Sequence, residues 1–270
     1  MIDYSQCDVW EYGSLLFDSH AHYDDEKFEG DREAVIENAL RYCAAIANIG
    51  TNTETSRRSI ALAETYPAFY AAVGIHPHDC GDVGEGREEE TLELLRQMLR
   101  HEKVRAIGEI GLDFHYDFSP RDVQKKWFEL QMQLAEETGY PVVVHDREAH
   151  GECMETVKRH PKVKGVFHCF SGSRETAEEL VRMGWYISFA GSVTFKNAVR
   201  LAETIPAVPD DRLLIETDCP YLAPVPHRAS RNDSSNLRYT AAFVADRRGM
   251  GLRELAELTA ANARRFYGIE

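Results

Sequence analysis

Leu15-Leu16-Phe17-Asp18-Ser19-His20-Ala21-His22-Tyr23-Asp24 is the stretch on which the reading of this chain turns. An apolar run ends in His-x-His. In an extended backbone, side chains two residues apart share a face, so His20 and His22 project together while Ala21 points away. Two neutral imidazoles converging at a strand end suit a divalent metal. Taken alone, the pair reads more simply as neighbouring histidines that satisfy local hydrogen bonds. The choice depends on whether the rest of the chain supplies further ligands in compatible places.

From Leu15 onward, short apolar runs alternate with helical patterns. Strands are expected over 15–18, 44–50, 70–74, 104–109, 141–145, 165–168, 185–189 and 213–216, each of the continuous kind that a parallel sheet buries on both faces. Residues 31–43 carry Val35, Ile36, Ala39, Leu40 and Cys43 on one helical side, and residues 91–101 carry Leu92, Leu95 and Leu99. Ser119-Pro120 reads as an N-cap followed by Pro at the first helical position, opening a helix with Val123, Trp127, Leu130 and Leu134 inward. Residues 173–183 turn Ala177, Leu180 and Val181 inward, with Gly184 as a C-cap. Two last helices are expected over 236–248 and 251–265. Eight strand–helix units predict a single α/β domain of the (β/α)8 TIM-barrel type, which typically takes about 250 residues. An open doubly wound sheet is the alternative, weakened because no Gly-rich phosphate fingerprint follows the first strand. The expected organisation is a polar N-terminal extension over 1–13, with Trp10 and Tyr12 packing on the body, and one barrel domain over 14–270.

Composition narrows the function. The chain is 43% hydrophobic and 28% charged, ordinary for a globular protein. Lys and Arg number 31 against 45 Asp and Glu, a net charge of −14. That excludes general charge-driven adhesion to nucleic acid or anionic membranes, but not a phosphate held in one locally positive pocket. Part of the acidity lies between Asp79 and Glu90, which reads as a solvated loop running into a helix start. No apolar run reaches the length of a transmembrane helix, and the acidic start of the chain has no signal-peptide pattern. The six scattered cysteines form no C-x-x-C pair and read as reduced packing residues. A cytoplasmic monomer is the expectation.

In a parallel barrel, chemistry sits at the carboxyl ends of the strands. Those ends read His20 and His22; His76 and His78; Glu109 and Asp113; His145, Asp146 and Arg147; His168; and Glu216 and Asp218. Such residues are not expected at the ends of buried apolar runs unless a site uses them. The recurrence decides for metal. Imidazoles and carboxylates without paired thiolates suit Zn, Mn, Fe, Ni or Mg. His20, His22 and Asp218 would hold one ion, His145 and His168 a second, with Glu109 shared. Two such ions activate water and clamp the attacking and leaving oxygens.

Weaker candidates surround this set. His76 and His78 read as substrate contacts or as histidines of a Pro-stiffened loop. Arg147 reads as a phosphate ligand or an ion-pair partner. Ser171 and Gly172 precede a helix start, where exposed N–H groups favour anions, or serve as an ordinary cap. Asp113 and Asp18 read as residues that orient ligands. Cys169 and Cys219 read as packing, and His101, His150 and His160 as solvated.

Together the motifs Phe17-Asp18-Ser19-His20-Ala21-His22, Gly74-Ile75-His76-Pro77-His78, Ala106 to Asp113, Pro141 to Arg147, Val166 to Gly172 and Ile215 to Pro224 resemble the TatD family of metal-dependent deoxyribonucleases, among the amidohydrolase-like barrels. The likeness runs from about residue 15 to Asn262-Ala263-Arg264-Arg265-Phe266. It implies a TIM barrel and divalent metals on His20, His22, Glu109, His145, His168 and Asp218. It also implies DNA as a substrate bound locally, its phosphodiester bonds hydrolysed in single strands or at 3′ ends, with Asp218 and Glu109 catalytic. The chain departs from the family after Pro226: Arg228 and Asn232 stand where the family has them, but the Gly and Pro of its Arg-Gly and Asn-x-Pro do not. A hydrolase of small esters, lactones, amides or amino-heterocycles is the second expectation, and a non-enzymatic barrel scaffold the third.

Overall fold

The computed structural model describes Ile2 and residues 4–270; Met1 and Asp3, in the expected extension, lie outside the described residues. The elements in order are α1 Ser5–Asp8, β1 Leu16–Ala21, α2 Arg32–Ala39, β2 Cys43–Ile49, α3 Thr53–Thr65, β3 Phe69–Val73, α4 Glu88–Leu99, β4 Val104–Asp113, α5 Arg121–Thr138, β5 Val142–Arg147, α6 His150–Arg159, β6 Gly165–Phe167, α7 Arg174–Arg182, β7 Tyr186–Phe189, α8 Val199–Ala202, β8 Leu213–Ile215, α9 Leu237–Arg248 and α10 Leu252–Tyr267. The sheet order follows the chain from β1 to β8, and Ala21 bridges Cys219 in parallel just past β8. This is the (β/α)8 barrel class. A doubly wound sheet would reverse its strand order, and this one does not.

Contacts divide the chain into two compact units, Met1–Ala47 with Cys169–Glu270, and Asn48–His168. In the second unit β3, β4, β5 and β6 pair in parallel. Strand β4 runs past its expected end at Glu109 to Asp113, because β5 keeps pairing with it: Gly111 faces His145, Leu112 faces Asp146 and Asp113 faces Arg147. Gly108 and Gly111 interrupt the apolar pattern there, so the sequence hides the extension. Helix α3 is equally hidden. It buries Ser56, Ser59 and Ala63 rather than a leucine stripe, with Asn48 Nδ2 donating to Ser59 Oγ at 2.8 Å. Its start is a capping box of Asn52 and Thr55.

Three further expectations change in this unit. Pro120 itself takes the N-cap position of α5, while Ser119 turns away to donate to the His78 carbonyl at 2.8 Å. His160 is 5% exposed rather than solvated, with Nε2 at 2.9 Å from Glu129 Oε1. The acidic segment is only partly solvated: Cys80 is buried, and Asp79 accepts from Asn52 Nδ2 at 3.2 Å. Helix α4 then starts on Glu88, Glu89 and Glu90, where acidic groups favour a helix N-terminus.

In the first unit, α2 stops at Ala39 and Cys43 opens β2, so Cys43 does not belong to the expected helix. The physical reason is local: the Tyr42 carbonyl accepts from the Leu16 N–H at 3.0 Å, which draws the chain into the sheet. Helix α10 packs on β1, with Phe17 and Tyr267 stacked at 5.8 Å and the Tyr267 hydroxyl donating to the Ser19 carbonyl at 2.7 Å. The N-terminal extension packs on α9. Cys7 is buried, Arg238 Nε donates to its carbonyl at 2.9 Å, and the Tyr239 hydroxyl donates to Asp8 Oδ1 at 2.7 Å. Trp10 stands 4.9 Å from Tyr12 and 6.2 Å from Tyr42. None of the six cysteines forms a disulfide, and five are buried. Among the described residues no helix is long and apolar enough to cross a membrane.

Candidate functional site

In the first unit, the ends of β1 and β8 are sewn together by backbone bonds. The Asp218 N–H donates to the His20 carbonyl at 2.9 Å, and the His22 N–H to the Cys219 carbonyl at 2.8 Å. Buried Asp18 reinforces the seam. Its Oδ1 accepts from the Thr217 N–H at 2.9 Å and its Oδ2 from Ser234 Oγ at 2.6 Å. Burial raises the Asp18 carboxyl to about 7, against the pull of these Ser234 and Thr217 bonds. Asp18 thus orients backbone rather than an imidazole. The result brings His20 Nε2 and His22 Nε2 to 3.0 Å of each other, with Asp218 Oδ1 at 3.7 and 3.4 Å from them. Asp218 stands at φ 55°, a left-handed conformation that costs a non-glycine residue about 1–3 kcal/mol.

In the second unit, Glu109 Oε1 lies 2.8 Å from His145 Nδ1, 2.8 Å from His168 Nε2 and 3.2 Å from His76 Nε2. Burial pushes the Glu109 carboxyl up, but His168, His76 and His145 outweigh it and hold the group well below the ordinary range. Asp113 stands behind His145, with Oδ2 at 3.0 Å from Nε2. Burial drives the His145 imidazole down; bonds to Asp113 and Glu109 overcome this and raise it. A carboxylate that takes the far ring proton fixes the tautomer and leaves the near nitrogen as a ligand.

His76 behaves differently. Its Nδ1 accepts the His78 N–H at 3.0 Å, so Nε2 carries the proton and faces Glu109. Burial lowers its pKa to about 4, so the ring is neutral. At 6% exposure, this donor holds the Glu109 carboxylate in place. His78 is more open and places Nε2 at 2.8 Å from Asp113 Oδ2.

Ligands bonded to one ion at about 2.0–2.2 Å stand roughly 2.8–3.6 Å apart. His20, His22 and Asp218, at 3.0, 3.4 and 3.7 Å, come close to that spacing. Glu109, His145 and His168, at 2.8, 2.8 and 3.3 Å, meet it. All are nitrogen and oxygen donors. Both groups therefore fit divalent metal.

The remaining candidates fall elsewhere. Arg147 is exposed, its guanidinium 4.5 Å above the Tyr116 ring. Ser171 lines a half-open cleft of about 1070 Å³ in the first unit with Arg174 and Arg200. Cys169 is not inside a strand: it follows β6 at φ 41°, its N–H donating to Glu216 Oε1 at 2.7 Å. Cys219 is buried, as expected of a packing residue. His101 pairs with Glu64 at 3.1 Å, and half-buried His150 with Asp146 at 2.7 Å. Arg228 lies over Phe195 at 4.3 Å, and Asn232 donates to the Thr217 and Tyr221 carbonyls at 3.0 and 2.8 Å. The loop after β8 is thus tied by Asn232 without the family's Pro.

Two positioning residues escape the sequence reading. Gln131 of α5 exchanges both bonds with the Ile75 backbone, at 2.8 and 2.9 Å, and Gln124 does the same for Asp113, at 2.9 and 3.1 Å. Both are fully buried. The signal was present: two glutamines seven residues apart on the face that carries Trp127 and Phe128. Gln124→Leu leaves the Asp113 N–H and C=O without their amide, and is expected to cost about 2–4 kcal/mol of stability. Chemical unfolding checks this; an unchanged midpoint would remove Gln124 from the account.

Imidazole and carboxylate groups of this kind, at the strand ends of a (β/α)8 barrel, define a metal-dependent hydrolase. More narrowly, the chain belongs to the TatD family: the family described as TatD related DNase matches residues 17–268. It is 42% identical to the uncharacterized metal-dependent hydrolase YabD of Bacillus subtilis, over 94% of this chain and 100% of that one. It is 35% identical to a Citrobacter koseri protein named 3′-5′ ssDNA/RNA exonuclease TatD, over 94% of this chain and 99% of that one. The crystal structure of YjjV, a TatD homologue from Escherichia coli K12, matches with a TM-score of 0.86 at 31% identity, covering 95% of this chain and 99% of that one.

Proposed function

We propose that the protein is a nuclease that hydrolyses phosphodiester bonds of single-stranded DNA, at free ends, using two divalent ions. The observation that carries this reading is the pair of ligand groups, His20 with His22 and Asp218, and Glu109 with His145 and His168. The name of the Citrobacter koseri relative supports nucleic acid as the substrate. A family match spanning 17–268 supports one catalytic domain over 14–270.

Divalent ions, when bound, polarise the phosphate and neutralise its charge. The chain's own residues do the rest. Asp218 accepts a proton of the attacking water on its carboxylate as the water oxygen bonds to phosphorus and the P–O ester bond breaks, and the departing oxygen takes its proton from solvent. Asp113 holds the His145 ring, and His76 holds Glu109 through its Nε2 proton. Because the net charge of −14 offers no general attraction for DNA, binding is local and depends on the metals. The same charge favours the second reading, a hydrolase of small esters.

Protein stripped and reloaded with Mg, Mn or Zn, offered single-stranded DNA, duplex DNA, RNA and small phosphoesters, separates the two. Metal-dependent loss of single-stranded DNA is expected. Asp218→Asn should lower that rate about 100-fold or more, the usual scale of general-base removal. DNA cleavage that survives this substitution belongs to a contaminant and sinks the reading; turnover of small esters alone selects the alternative.

A further inference from the structure

Resting on the nuclease reading, we propose that Tyr116 and Phe118, with Arg147, form a nucleobase-stacking platform for single-stranded substrate. Tyr116 and Phe118 are 47% and 69% exposed, two of the five large apolar side chains left in solvent among the described residues. They are not scattered. Their rings lie parallel within 8°, with centroids 5.2 Å apart. Stacked on Tyr116, the Phe118 ring still meets solvent over most of its surface, and an exposed aromatic face extending an existing stack is where a base stacks. The Arg147 guanidinium, 4.5 Å from the Tyr116 ring, adds a cation to the same surface.

The loop is built to hold the pair still. Asp113 Oδ1 accepts the N–H groups of His115 and Tyr116 at 3.0 and 2.8 Å. Arg121 grips Asp117 through Nε at 2.8 Å and a terminal nitrogen at 2.7 Å, and Asp117 takes φ 50° to make the turn. The other Asp113 oxygen, Oδ2, accepts from His145 and His78. One carboxylate therefore fixes both a proposed ligand and the loop that presents the rings. His78 packs against both rings in T-shaped contacts, 4.8 Å from Phe118 and 5.6 Å from Tyr116. The platform lies two ring contacts from His145, since His78 and His145 are 5.9 Å apart. A single strand can offer an unstacked base to this platform; a duplex interior cannot.

The test compares wild type, Phe118→Ala and Phe118→Trp on two single-stranded oligonucleotides, one bearing all its bases and one abasic over its last three nucleotides. Wild type should prefer the base-bearing strand. Phe118→Ala should lower kcat/KM on that strand roughly 5- to 150-fold, the scale of one lost stacking contact, and bring the preference toward one. Phe118→Trp should restore it. A second readout is quenching of 2-aminopurine placed near the end of a strand whose last linkages are non-hydrolysable phosphonates, with the divalent metal kept; quenching should weaken in the Ala variant. Equal loss on both strands, or no loss on either, overturns the platform. If wild type cleaves neither strand, the nuclease reading fails by itself. Quenching then decides the platform: a signal lost in Phe118→Ala supports it, and no signal overturns it.

Discussion

Glu109→Ala is expected to lower turnover at least about 1000-fold and to reduce bound metal in parallel. Partners that merely orient a ligand cost 10–100-fold when removed, and Glu109 is placed to be a ligand itself. Its Oε1 gathers His145, His168 and His76 within 3.2 Å. The carboxylate stays ionised in spite of burial because those imidazoles surround it. Alanine removes both the negative charge and the acceptor, so the same three rings lose what aligns them. Metal content measured alongside rate separates the two effects. Glu109→Gln adds a further control, since it keeps the volume and loses the charge. An alanine variant that keeps full metal and full rate would remove Glu109 from the site.

Gly111→Ala should be severely damaging although it adds a single methyl group. A Cβ at that position would stand 2.0 Å from the His145 carbonyl oxygen and 3.0 Å from its carbonyl carbon and nitrogen. The obstacle is backbone, which cannot rotate aside, and the glycine also holds φ +134°, where L side chains are strained. The expected cost exceeds about 4 kcal/mol, beyond most substitutions. Its consequences reach the chemistry, because Gly111 lies between Glu109 and Asp113 and pairs with His145 in the ladder. Unfolding midpoints and metal titration measure the two losses. A variant as stable as wild type, with unchanged metal affinity, contradicts this account of β4.

The eight strands were legible because each is a short apolar run, and burial on both faces of a parallel sheet demands that run. The helices with leucine faces, such as α4, were legible for the same reason. Helix α3 was not, since its inward residues Ser56 and Ser59 are polar, and their partners outside the helix are the Gly74 N–H and Asn48 Nδ2. His160 looked solvated because a lone histidine carries no mark of the Glu129 that covers it. Likewise nothing in Ser119-Pro120 tells that the serine serves the His78 carbonyl instead of capping α5.

His20 and His22 carry their meaning in the sequence itself. A strand has period two, so any extended chain puts both imidazoles on one side, and the strand-end rule then names Glu109, His145, His168 and Asp218 as their company. What each of the remaining polar residues does was decided only in three dimensions. His76 and His78 share one motif, yet one ring is buried against Glu109 and the other stands beneath Tyr116 and Phe118. Asp113 turns one oxygen to His145 and the other to the loop, and Gln124 fixes its backbone from another helix. Apart from the loop N–H groups on Asp113, these partners lie 11 to 40 residues away. Periodicity reports which face a side chain takes, whereas a hydrogen bond depends on distance and direction to an atom that the local sequence does not contain.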